Sequence, residues 1–277
     1  MKPEYPRLAD EASASPISHS DSMPFEVSPT LVSRMRSLTP ARVGLRRSGT
    51  SIATSELLDF QLSHARARDA VHAALQPGSL LGAIRLIQGQ SHDPLLLHSA
   101  AATRQVYLQR PDLGRKLDKN SSERLAEYPK SGSYDLSIVI VDGLSALAVE
   151  RNAVPLLAEL LPHLHDHLRL APICIVEQGR VAIGDEVALA FAASLVIVLI
   201  GERPGLSSPD SLGAYITWQP HPGRTDAERN CISNIRSEGL SYEQASARLL
   251  YYIHESQRLQ LTGVSLKEAD LKLEAEQ

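Results

Sequence analysis

Two carboxylates stand just beyond apolar, β-branched runs: Asp142 after Asp135–Val141, and Glu202 after Leu195–Ile200 and one glycine. Brought to one edge of a sheet, such a pair can serve as general acid and base. Glu202 can instead accept hydrogen bonds from a ligand, because Glu202-Arg203 lies between Gly201 and Gly205 in a kinked loop. Plainer readings stand beside these. Asp142-Gly143 is an ordinary turn pair, and Glu202-Arg203 is a local ion pair. Cys231 lies in Asn230-Cys231-Ile232-Ser233-Asn234-Ile235, with no histidine near it in sequence, so a small buried side chain is expected rather than a nucleophile. His163 and His167 share a helical face. The zinc-protease pattern needs Glu after the first His, and Leu164 stands there, so a solvated helix end is expected. No Gly-x-Gly-x-x-Gly, phosphate-binding P-loop or Gly-x-Ser-x-Gly is present.

The elements that position these residues repeat as strand, loop and helix from Tyr134 onward. Strands are expected over 135–141, 172–176 and 195–200, with helices over about 154–168 and from about 184. A short helical turn over 209–212, capped by Ser208, leads to a strand over 215–218. A helix capped by Ser241 runs to about Leu261. Alternating strands and helices imply a parallel, doubly wound sheet whose loops 142–145, 178–181 and 201–207 converge on one edge. The stretch 224–235 reads most simply as a charged surface helix.

Residues 39–130 read as mainly helical, with a helix from Thr54 or Ser55 to about Leu75 and a basic cluster of Arg42, Arg46, Arg47, Arg66 and Arg68. Asp112 and the Asn120-Ser121-Ser122-Glu123 box are candidate caps. Residues 1–38 read as a flexible tail, relieved by one amphipathic patch of Leu31, Val32, Met35 and Leu38. The expected organisation is thus a tail (1–38), a mainly helical part (39–130) and a Rossmann-like α/β domain (131–277).

Bulk composition narrows the function classes. A net charge of −4 and 4% aromatic residues argue against a nucleic-acid partner. The longest apolar run, 187–200, is shorter than the roughly 20 residues of a membrane helix, and the first 25 residues lack a signal-peptide core, so a soluble chain is expected. The two cysteines fit a reducing cytosol.

Six segments in order, 39–44, 110–115, 142–145, 179–181, 201–205 and 226–235, make the chain similar to the small (light) subunit of ethanolamine ammonia-lyase. The resemblance covers nearly everything from residue 39 to about 258. It implies an adenosylcobalamin-dependent lyase that converts ethanolamine to acetaldehyde and ammonia. The radical chemistry would reside in a separate large subunit with a barrel fold. The small subunit would be a non-catalytic, nucleotide-fold cap in a hetero-oligomer, in the cytosol, with enclosure in a bacterial microcompartment left open. It further implies cofactor contacts at Val181, Glu202 and Cys231. The Asp-x-His-x-x-Gly signature of base-off cobalamin binding is absent, so the expectation is a cofactor that keeps its own base on cobalt.

Overall fold

The computed structural model describes residues 29–39, 41–88, 93–129, 132–164 and 167–267. Most of the expected tail (1–28), His165 and Asp166 of the histidine stretch, and residues 268–277, all but the first residue of the charged end from Lys267 that is expected to fray, lie outside the described residues.

The N-terminal part begins with helix α1 (Pro29–Leu38), a small antiparallel pair, β1 (Arg47–Ser48) and β2 (Ser51–Ile52), and helices α2 (Thr54–His72) and α3 (Pro77–Gln88). Strand β3 (Leu95–His98) follows, then α4 (Arg104–Gln109) and α5 (Lys119–Glu127). The rest is β4 (Tyr134–Val141), α6 (Ala146–Leu160), β5 (Cys174–Glu177), α7 (Ile183–Ala190), β6 (Ala193–Gly201), β7 (Leu212–Trp218), β8 (Asn230–Ile235) and α8 (Tyr242–Leu259). Among the described residues, no helix is long and apolar enough to cross a membrane.

One six-stranded sheet carries the molecule, in the order β3-β5-β4-β6-β7-β8. Its first four strands are parallel, and β7 and β8 run antiparallel. The central strands β4 and β6 are covered on both faces, which is why they read as continuous apolar runs rather than alternating ones. Their side chains still alternate between two cores. Ile138, Ile140, Ile197 and Leu199 face α3, α6 and α8. Val139, Val141, Val196 and Val198 face α7, where Phe191 meets Tyr128 and Tyr134 edge-on at 5.6 and 5.9 Å. This is the expected α/β class, with helices N-terminal and the sheet concentrated towards the C-terminus.

Several local expectations are corrected. The first crossover helix begins at Ala146, capped by Ser145 Oγ accepting from Ala148 N (3.2 Å), and it contains Pro155. The proline is tolerated because the carbonyl it deprives of a donor belongs to Arg151, on the exposed side. The turn expected over 209–212 is confined to Pro209 and Asp210 and does not grow into a helix. The Pro209 and Asp210 carbonyls accept from Ser145 Oγ and Asn152 Nδ2 (both 2.8 Å), and Leu212 opens β7. Residues 230–235 are a strand rather than a surface helix, with Asn230, Ile232 and Ile235 buried and Cys231, Ser233 and Asn234 exposed. The cap of α5 is Asp118, accepting from Ser121 N (2.7 Å), and Asp112 instead pairs with Arg110. Strand β3, from the stretch expected to be helical, pairs with β5 at the sheet edge.

Candidate functional site

The carboxyl ends of β4, β5 and β6 lie side by side. The connection from β4 leads to β5 on one side and that from β6 to β7 on the other, so β4 and β6 flank the switch point where open α/β sheets bind ligands. Here the main chain closes that crevice. Leu144 N donates to the Gly201 carbonyl (2.9 Å). A Cβ on Gly201 would lie 2.0 Å from the Ser145 carbonyl oxygen, and Gly143 has a positive φ of 58°. Only glycine permits this approach.

Asp142 lies beneath the closure, 1% exposed. Its Oδ1 accepts from Gly179 N (3.2 Å), and Arg104 Nη1 lies 3.6 Å from Oδ2. Burial pushes its carboxyl up to about 6, against the opposing pull of the Gln178, Gly179 and Gly143 N–H groups and Arg104. Asp142 is sealed away from the cavity that Glu202 lines, so the two carboxylates do not meet as an acid–base pair.

Beside the closure is a cavity of about 280 Å³ walled by Tyr107, Arg180, Val181, Glu202, Arg203 and Tyr215. Tyr107 is fully buried on α4, which Thr103 caps. The Arg180 guanidinium carbon lies 4.3 Å from its ring centroid and that of Arg104 4.8 Å. Among the described residues the Tyr107 hydroxyl has no hydrogen-bond partner, and burial pushes its pKa up to about 12. Gly114 makes the stack possible, because a Cβ there would lie 2.9 Å from Arg180 Cγ and 3.1 Å from the tyrosine ring.

Glu202 is held rigidly. Its N–H donates to the Ser211 carbonyl (2.9 Å), and Oε2 accepts from Ser211 Oγ and Asn234 N (3.2 Å). Oε1 sits over Gly213, where an added Cβ would lie 3.0 Å away, and it keeps its acceptor capacity. Arg203 is exposed, and among the described residues no carboxylate pairs with it. Val181 is half-buried in the turn before α7, its carbonyl accepting from Gly184 N (3.1 Å). With Arg180 it also walls a second hollow of about 630 Å³ that includes Arg115, Lys116 and Arg224.

The structure therefore brings Val181 and Glu202 onto one cavity. Cys231 is not on its lining. It is exposed on β8, 3.4 Å from Ser233 Oγ, and pairs across the sheet with Tyr215, which does line the cavity. Although Cys231 is exposed as a residue, partial desolvation of its sulfur against the neighbouring strand raises the thiol, and burial raises the Tyr215 hydroxyl, above their ordinary pKa values, so both stay neutral. Sequence reasoning missed Arg104 and the Tyr107–Arg180 stack. Its one available signal was the 106–117 stretch, whose Gly114 marks the close approach.

A family model described as ethanolamine ammonia-lyase light chain (EutC) matches residues 30–267. The chain is 54% identical over 237 residues to the ethanolamine ammonia-lyase small subunit of Pseudomonas aeruginosa (strain LESB58), covering 84% of this chain and 86% of that one. It is 55% identical over 237 residues to the small subunit of Pseudomonas fluorescens (strain Pf0-1), covering 84% and 85%. It is 53% identical over 248 residues to that of Xanthomonas campestris pv. campestris (strain B100), covering 87% and 89%. Matches of this extent and identity place the chain in the ethanolamine ammonia-lyase small (light) subunit family.

Proposed function

We propose that this chain is the non-catalytic small subunit of an adenosylcobalamin-dependent ethanolamine ammonia-lyase, and that it caps the cofactor at the interface with the large subunit. The observation that carries the reading is the character of the cavity wall. It combines an acceptor, Glu202 Oε1, with the donors Arg180 and Arg203 and the apolar Val181, but has no acid–base pair or activated thiol.

That donor set fits the rim of a corrinoid, whose amide side chains both donate and accept hydrogen bonds. Glu202 would accept from amide N–H groups, Arg180 and Arg203 would donate to amide oxygens, and Val181 would pack against apolar ring surface. Cys231 and Tyr215, both neutral, extend the wall along β7 and β8. A corrin ring is much wider than the cavity, so this chain supplies one wall and a second chain the other. When bound, adenosylcobalamin supplies a cobalt–carbon bond whose homolysis starts radical chemistry, while the protein contributes position and shielding.

The test is ethanolamine deamination with adenosylcobalamin by this chain alone, the large subunit alone, and both together. Activity only on mixing is expected. Activity from this chain alone, or none on mixing, would overturn the reading. For Glu202→Ala, spectroscopic titration of the two-subunit complex with cobalamin should show about 10- to 100-fold weaker binding, as for loss of one hydrogen bond to a charged group. Binding like the unaltered complex would remove Glu202 from the site.

A further inference from the structure

A further cavity lies outside this site. It has a volume of about 860 Å³ and is walled by α2, α6, the loop after β6 and the residues after β8. Four arginines line it: Arg42, Arg66, Arg151 and Arg236. The carboxylates on the same wall are already engaged. Asp210 takes Arg151 Nη1 (2.9 Å) and Arg236 Nη1 (3.4 Å), Glu238 lies 3.6 Å from Arg236, and Asp69 pairs with Arg68 outside the lining.

Arg236 is a built feature rather than a loose surface side chain. It is 5% exposed, and its Nε donates to Asn234 Oδ1 (3.1 Å). Among the described residues, no carboxylate lies within ion-pair distance of Arg42 or Arg66. Arg42 lies over the Phe60 ring at 5.8 Å, and Ser63, Ser207 and Ser237 add hydroxyls to the same wall.

We infer that this cavity binds a phosphate group carried by a small molecule, with Arg42 and Arg66 as its primary ligands. Two uncompensated guanidinium groups favour a dianionic oxyanion, since the planar fork of arginine matches phosphate oxygens two at a time. The volume falls within the range of ligand sites and exceeds what a bare ion needs, so a phosphate ester fits. Asp210 and Glu238 hold Arg151 and Arg236 in place, leaving the outer pair to take the ligand.

The test is equilibrium dialysis of the two-subunit complex against radiolabelled inorganic phosphate and pyrophosphate, with ionic strength held constant by chloride. Saturable uptake is expected, weakened about tenfold or more in Arg42→Gln/Arg66→Gln. Both residues are exposed, so that variant should melt like the unaltered complex in the absence of phosphate. Arg110→Gln, which removes a distant, already paired arginine, should bind as before. No saturable uptake by the unaltered complex would overturn the inference, whether the cavity is empty or covered by the large subunit. So would equal uptake by the double variant. If the double variant unfolds, Arg66→Gln alone must show the loss.

Discussion

Arg229 and Asp185 form a bidentate ion pair with both side chains removed from water. Nη1 donates to Oδ1 at 2.8 Å and Nη2 to Oδ2 at 2.6 Å, with side-chain exposures of 1% and 0%. Thr217 Oγ1 and the Arg224 carbonyl take further guanidinium protons. The pair joins the first turn of α7, just after Val181, to the start of β8, which carries Cys231. It therefore sets the spacing between two walls of the proposed cofactor site. Arg229→Ala leaves a buried carboxylate without its partner and should cost about 3–5 kcal/mol in urea unfolding. Replacing both partners together, as Asp185→Leu/Arg229→Met, should cost much less. A single variant no worse than the double would show that the pair contributes little.

The Tyr107 hydroxyl and the Tyr107 ring make opposite predictions. The hydroxyl is buried with no partner among the described residues, so Tyr107→Phe should be neutral or stabilising by up to about 1 kcal/mol. The ring carries Arg180 and fills the core beneath α4, so Tyr107→Ala should cost about 3–5 kcal/mol. Thermal melts of the two variants separate these effects. A phenylalanine variant as unstable as the alanine one would mean the hydroxyl has a partner.

At Gly201, a methyl group would collide with main chain rather than with a side chain that could move aside. Gly201→Ala should therefore destabilise by at least about 1–3 kcal/mol and displace the Glu202 loop. Gly78, which has open space around it, is the matched control. Equal melting temperatures for Gly201→Ala and Gly78→Ala would show that the β4–β6 closure gives way at little cost.

Asp142 makes stability depend on pH. Burial raises its carboxyl from 3.8 to about 6, so between those values the folded chain holds a proton that the unfolded chain releases. The stability it contributes is complete below the lower value and is lost as pH rises through the upper one. The loss amounts to about 3 kcal/mol from a shift of this size. Melting curves from pH 4 to 7 should show the unaltered chain falling relative to Asp142→Asn, which keeps an acceptor for Gly179 N–H. Parallel curves would mean that Asp142 titrates like an exposed carboxylate.

Local residue pattern was enough to locate the central strands and the edge that carries the loops. Expected strands at 135–141 and 195–200 are β4 and β6 to within two residues at each end, because strands covered on both faces announce themselves by unbroken apolar runs. The Ser241 cap of α8 was equally legible, since a cap lies within one turn of what it caps. Contacts between distant segments lie beyond such local signals. Asp142 and Gly179 are 37 residues apart, and Tyr107 and Arg180 are 73 apart. Strand β3 is three leucines and a histidine, too short for its pattern to tell strand from helix, and β8 is only partly apolar, so their pairing partners rather than their own patterns make them strands. The same holds for the site. Glu202 was visible at a strand end, but Ser211 and Asn234, which hold it, and Arg104, which seals Asp142, come from elements that only packing brings together.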